Sequence, residues 1–259
     1  MEDKRRELAR RRRALNEGAL RLLACLWPSP IALRTALLDP QGRLRPVVAL
    51  MRAAPFQGLL RPTYNPARLA LSFAFHGVAA FAVMTDARYY QGRMGHLMEV
   101  KRALFRQRIN IPLICHDFFL DPFQVLEARA FGADAIWINL GILSPSALRD
   151  LLATAAKYRL EVLAEVRTET EIEAAWKAGL RVLIVQRRDW RTFEIDRALP
   201  AKLRPFLPDA AIRVVAGDIS SPQEIEEARA LGFHAVILEE SLLGANDPVI
   251  QYHKLGFRS

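Results

Sequence analysis

The sequence predicts an α/β fold, a single (β/α)8 TIM barrel with an N-terminal helical extension, and three observations predict it. From residue 46 onward, short β-branched runs alternate with amphipathic stretches, the runs lying at 47–51, 78–85, 112–118, 133–140, 160–166, 181–186, 212–217 and 234–240. Eight runs in unbroken βα alternation match the strand number of a closed barrel. No long linker or low-complexity segment divides the chain. The structural alternative, a doubly wound open sheet, would carry a Gly-rich phosphate fingerprint after its first strand, and none follows residues 47–51.

The elements follow in order. Residues 1–45 form a helical extension and 46–259 the barrel. Leu8, Leu15, Ala19, Leu22 and Leu26 fall at helical spacings and predict an amphipathic helix, with Arg10 and Arg13 pointing away from its apolar stripe. Within the barrel, helical patterns occupy 121–131 and 146–158. Ser144 before Pro145 and Ser221 before Pro222 are helix-start signals, the proline at a first-turn position where its missing N–H costs nothing. Gly132, Gly179 and Gly232 stand where helices should end before the next strand. The tail beyond Pro248 is short and helical.

A chain of 259 residues, 51% of them hydrophobic, can bury a substantial core. No run of about 18 uninterrupted apolar residues occurs, so no membrane-spanning helix is expected. Basic residues precede the apolar segment around Leu22–Leu26, but Glu17 and Arg21 interrupt it, so no export segment is expected. Cys25 and Cys115 are the only cysteines, too few for a disulfide framework, and point to a reduced, cytoplasmic protein. The net charge of +9 favours acidic partners. The run Arg10–Arg13 lies beside Glu2, Asp3 and Glu7, without aromatic interleaving or a reader motif. It reads as a solvated basic face, or a docking surface for an acidic protein, rather than a nucleic-acid site. No compact ligand spacing supports a metal, and nothing calls for a redox cofactor.

Barrel enzymes carry their functional groups at the C-terminal ends of the strands and in the loops beyond. At those places the chain has His116, Asp117 and Phe118 after the third run, the stretch 83–92 at the second, Glu161–Val166 at the fifth, Arg187–Asp196 after the sixth and Glu239–Leu243 after the eighth. Together with Arg52, Ala54, Pro55 and Gly58 after the first, this pattern resembles indole-3-glycerol phosphate synthase, the ring-closing decarboxylase of tryptophan biosynthesis. The resemblance covers residues 46–248. It implies a helical extension lying over the barrel mouth.

The resemblance also implies which groups once did the chemistry. A first-strand glutamate and lysine align with Ala49 and Met51, which can neither transfer a proton at neutral pH nor anchor a carboxylate. The third-strand lysine, the general acid, aligns with His116, and the sixth-strand asparagine with Gln186. Glu165 alone is unchanged, either a surviving base or a carboxylate paired with Arg167 or Arg187. The phosphate-binding positions read Ala54, Gly217, Asp218, Glu239 and Glu240, so carboxylates stand where an anion would dock. Arg52 and Arg187 are the candidates to hold a substrate carboxylate, and Phe118 with Trp137 and Met51 to line an apolar pocket. Asp86 and Asp117 read as structural, pairing with Arg88, and Cys115 as an inert buried thiol on the opposite face from His116.

Two expectations follow. The first is a diverged barrel that has lost the ring-closing decarboxylation and serves as a binding or assembly protein, or acts on a different, non-phosphorylated small molecule. The second is a working enzyme with rearranged groups: His116 as acid, Glu165 as base, and Arg52 or Arg187 on the substrate carboxylate.

Overall fold

Eight parallel strands close on themselves in sequence order: β1 (Arg45–Leu50), β2 (Ala80–Met84), β3 (Leu113–His116), β4 (Ala135–Asn139), β5 (Glu161–Val166), β6 (Val182–Gln186), β7 (Ile212–Ala216) and β8 (Ala235–Leu238), with β8 returning to pair with β1. This computed structural model describes residues 2–55 and 57–257. The strands are buried on both faces, which is why they read as continuous apolar runs rather than alternating ones. Register carries the candidate positions to one level of the mouth: Met84 pairs with His116, His116 with Trp137, and Asn139 with Glu165.

The helices follow the signals in the sequence. Ahead of β1 lie α1 (Glu2–Ala14), α2 (Glu17–Leu26) and α3 (Leu33–Leu37); around the barrel run α4 (Pro66–Phe73), α5 (Met94–Arg106), α6 (Pro122–Ala130), α7 (Pro145–Lys157), α8 (Glu169–Lys177), α9 (Leu199–Leu203) and α10 (Pro222–Ala230); α11 (Glu240–Leu243) and α12 (Pro248–Lys254) close the chain. Ser144 and Ser221 each accept the backbone N–H three residues on, from Ala147 and Glu224, with proline next in line. Asp121 and Gln124 form a reciprocal capping box on α6. Among the described residues no helix is long and apolar enough to cross a membrane.

The N-terminal extension departs from the expected pattern. The leucine stripe does not continue through one helix, because Asn16 caps a new one by accepting the N–H of Ala19. The restart rotates the buried face: Leu20 and Ala24 pack on Phe123, Leu126 and Ala130 of α6, while Leu22 and Leu26 are exposed.

Candidate functional site at the barrel mouth

A cavity of about 340 Å³ lies at the C-terminal end of the barrel, roofed by Asp3, Lys4 and Glu7 of α1. Its walls are Tyr89 after β2, Phe118 after β3, Asn139 at the end of β4, Gly141 and Ile142 beyond it, and Trp190 and Phe193 after β6. The rings meet edge to face: Phe118 lies 5.6 Å from Tyr89 and 6.1 Å from Trp190. Such geometry sets ring edges against negative ring faces and makes a rigid apolar wall.

The roof is fastened by buried charge. Lys4 Nζ sits 2.9 Å from Asp86 and 2.5 Å from Asp117, with Glu7 3.1 Å away. Burial disfavours the ammonium, but the carboxylates of Asp117 and Asp86 outweigh it and hold its pKa above the usual lysine range. Arg11 extends the network to Glu127 and Asp117. Asp86 and Asp117 are thus held in ion pairs, but their partner is Lys4 rather than the expected Arg88, which pairs with Asp3 instead. Arg11 turns toward the barrel, while the rest of the basic run stays at the surface.

Beneath the cavity the barrel axis is filled by aromatic groups. His116 packs edge-on against Trp137 at 4.4 Å and against Tyr90 at 5.5 Å. Its Nδ1 is buried without a hydrogen-bond partner, and burial lowers its pKa to about 4, so the ring is neutral at pH 7. Cys115, on the opposite face, contacts Thr85 Oγ1, and burial pushes its thiol up to about 12. Ala49 and Met51 are buried and bring no ionisable group, and Ala54 pairs with Gly58 in a short antiparallel ladder.

Glu165 is fully engaged. Trp137 Nε1 and Asn139 Nδ2 donate to it at 3.0 and 2.7 Å, and Trp190 Nε1 donates as well. Burial raises its pKa to about 7, with the indole N–H groups pulling the other way. Neither arginine considered as its partner reaches it. Arg167 donates to the Gln186 carbonyl and pairs with Asp189, and Arg187 bonds the carbonyls of Gly217 and Asp218 and the Glu224 carboxylate. The Gln186 side-chain oxygen accepts the Arg188 N–H at 3.1 Å.

The loops after β7 and β8 are closed against each other. Glu239 accepts the backbone N–H groups of Gly217 and Asp218 at 2.6 and 2.9 Å. Asp218 accepts the N–H and hydroxyl of Ser241, in the first turn of α11, at 2.8 and 2.9 Å. Glu240 pairs with Arg188 at 3.0 Å. Gly217 must be glycine: its φ is +105°, and a Cβ would come within 2.6 Å of Gln186 Oε1. Burial, with Glu240 alongside, pushes the Glu239 carboxyl well above its ordinary range. Backbone N–H groups gathered in this way form an anion cup, and here the chain's own carboxylates occupy it.

The structure thus brings Glu165, His116 and Phe118 together with Asn139, Tyr90, Trp190 and Lys4, which sequence reasoning did not single out. Trp190 lies in the loop after β6, where the strand-end rule already pointed; Lys4 has no local signal, because its partners lie on distant strands. Arg52 does not line the mouth cavity. It lines a separate cavity with Tyr64, Arg68, Arg93 and His96. Arg187 is consumed beneath the β7 loop.

Known proteins agree with this architecture. The solved structures of 3-hexulose-6-phosphate synthase from Salmonella typhimurium (TM-score 0.63, 14% identity, 82% of this chain and 96% of that one) and thiamine phosphate pyrophosphorylase from Pyrococcus furiosus (0.60, 17%, 84% and 96%) share the fold. Proteins named indole-3-glycerol phosphate synthase are nearer in sequence: that of Chlorobium phaeovibrioides is 33% identical, over 93% of this chain and 92% of its own length. The one from Koribacter versatilis is 34% identical, over 96% and 94%. The profile of the family described as indole-3-glycerol phosphate synthase matches residues 1–255. With sequence relatives spanning nearly the whole chain and a closed barrel roofed by its N-terminal helix, this protein belongs to the indole-3-glycerol phosphate synthase family.

Proposed function

We propose that this family member has lost the ring-closing decarboxylation and retains the barrel as a binding or assembly protein, or as a site for a non-phosphorylated small molecule. One observation carries the reading: Glu239 accepts both N–H groups of the β7 loop while Asp218 caps the β8 loop, so the donors that would hold a phosphate are already taken by the chain's own side chains. A phosphate dianion brought there finds those donors occupied and lies beside Asp218, and like charges about 4 Å apart repel by roughly 1–4 kcal/mol depending on the local dielectric. The absence of ionisable side chains at Ala49 and Met51 supports the same reading, as does a His116 ring that stays neutral down to about pH 4. The ammonium present, Lys4, is held by two carboxylates and does not release a proton near neutrality.

The aromatic cavity supports a role in binding. Its walls accept a flat apolar group, and Asn139 and the Arg191 side chain add polar contacts at its edge. The alternative, residual turnover with Glu165 as base, is favoured by one observation: a carboxyl raised to about 7 exchanges its proton readily at neutral pH.

The deciding experiment gives the purified protein the carboxyphenylamino-deoxyribulose phosphate substrate and follows indole fluorescence, alongside complementation of a tryptophan auxotroph. The expected result is no turnover and no growth. Turnover abolished by Glu165→Gln would overturn the proposal.

A further inference from the structure

Outside the barrel mouth, a second cavity of about 570 Å³ lies between the segment leading into α4 and the start of α5, and it shares no lining residue with the first. Three arginines face it: Arg52 after β1, Arg68 in the first turn of α4, and Arg93 at the N-cap of α5. Arg93 is neutralised by Glu99 at 2.5 Å. Arg52 and Arg68 form no ion pair among the described residues. Two exposed, unpaired positive charges therefore line one hollow, with Glu99 the carboxylate nearby, and together they favour an anion there.

The wall of this cavity carries two further groups that point to a ligand. His96 is 92% buried by its 8% exposure, yet Nδ1 has no hydrogen-bond partner. The Tyr64 hydroxyl beside it, ring to ring at 5.1 Å, is likewise buried and unpartnered. Buried polar atoms are nearly always hydrogen-bonded, so two orphans on touching rings in the lining of the same cavity as the unpaired arginines form an incomplete site. Burial, reinforced by Arg93 and opposed by Glu99, with Arg52 adding to the lowering, holds the His96 pKa below its ordinary value, and the neutral ring can present one N–H. The N-terminus of α5 adds a positive dipole end, since Arg93 provides no side-chain cap there.

We infer that this cavity binds the phosphate group of a small phosphomonoester, with Arg52 and Arg68 balancing the dianion and His96 and Tyr64 donating to its oxygens. Charge selects a dianion over a carboxylate, which would leave one arginine unmatched. The hollow, about 570 Å³, leaves room for the esterified group beside the phosphate. The inference does not rest on the fate of the barrel mouth.

The test is calorimetric titration of the full chain with ribose 5-phosphate, inorganic phosphate, ribose and a 12-nucleotide single-stranded DNA. The expected result is binding of ribose 5-phosphate, weaker binding of inorganic phosphate and none of ribose. Arg52→Gln with Arg68→Gln should weaken the sugar phosphate at least tenfold while leaving the circular dichroism spectrum and Tm unchanged. The His96 ring resonances should shift on titration, and they provide a second readout if the double variant folds poorly. No binding at 10 mM, on the order of the weakest affinities worth assigning to a site, would overturn the inference. So would binding unaltered by the arginine changes, which would return attention to the mouth. DNA binding more tightly at equal phosphate concentration, with the steep salt dependence of a polyanion, would replace it with a nucleic-acid surface.

Discussion

Asp218 and Glu239 exchange caps: each carboxylate accepts hydrogen bonds from the loop that bears the other, Glu239 from the N–H of Gly217 and Asp218, and Asp218 from Ser241. The exchange keeps Asp218 at φ +56°, a left-handed conformation that few residues other than glycine adopt without support. It locks the β7 and β8 loops together and removes their donors from any outside anion.

This crossed pair has a pH signature. Glu239 is raised by burial with Glu240 beside it, and Glu165 is raised to about 7, against an unfolded value of 4.5. Between the unfolded and raised values the native state binds more protons than the unfolded state, so stability falls as pH rises through that window. Urea unfolding at pH 5, 6.5 and 8 should show this decline, and Glu239→Gln should flatten it, with a gain on the order of 1–2 kcal/mol at pH 8. An unchanged slope would mean that Glu239 titrates normally.

Lys4→Met should leave Asp86 buried without its cation and Asp117 with Arg11 alone. Breaking one partner of a buried ion network costs about 3–5 kcal/mol, and the loss should be read as a lower urea midpoint. Arg6→Met, on the exposed face of the same helix, should change stability by less than about 0.5 kcal/mol.

Trp190→Phe removes one of the N–H groups held by Glu165. Since those donors favour the ionised form, the Glu165 pKa should rise above about 7. Isotope-edited carbon NMR of the glutamate carboxyls measures the midpoint directly; a downward shift would show that the indole bond does not act on the carboxylate.

Introducing ammonium groups should not rebuild catalysis. Met51→Lys with His116→Lys should give no measurable indole formation, because Glu239 still holds the N–H groups of the β7 loop. Adding Asp218→Ser and Glu239→Gly frees them, and any turnover should first be detected in that fourfold variant. Recovery from the two lysines alone would show that the crossed carboxylates do not block the anion.

The barrel was legible because its signals are local and repeated. β-Branched runs mark each strand, and Ser144–Pro145 and Ser221–Pro222 mark helix starts within one turn. The break at Asn16 was harder to see, since the leucine spacing runs on through it; only the capping chemistry of asparagine marks the restart. At the site, the types and levels of His116 and Glu165 could be read from alternation, but their partners could not. Trp137 reaches Glu165 from β4 and Trp190 from the loop after β6, and Lys4 reaches Asp86 across 82 positions. Arg52 follows a strand end, so the strand-end rule sends it to the mouth; the turn after β1 carries it to the other cavity.

The roof over the mouth also has a temporal consequence. Synthesis runs from the N-terminus, so Lys4 is made well before Asp86 and Asp117 exist to receive it. Helix α1 must then wait, solvated, while the second and third strands are added, and its seating is a late event in the life of the nascent chain.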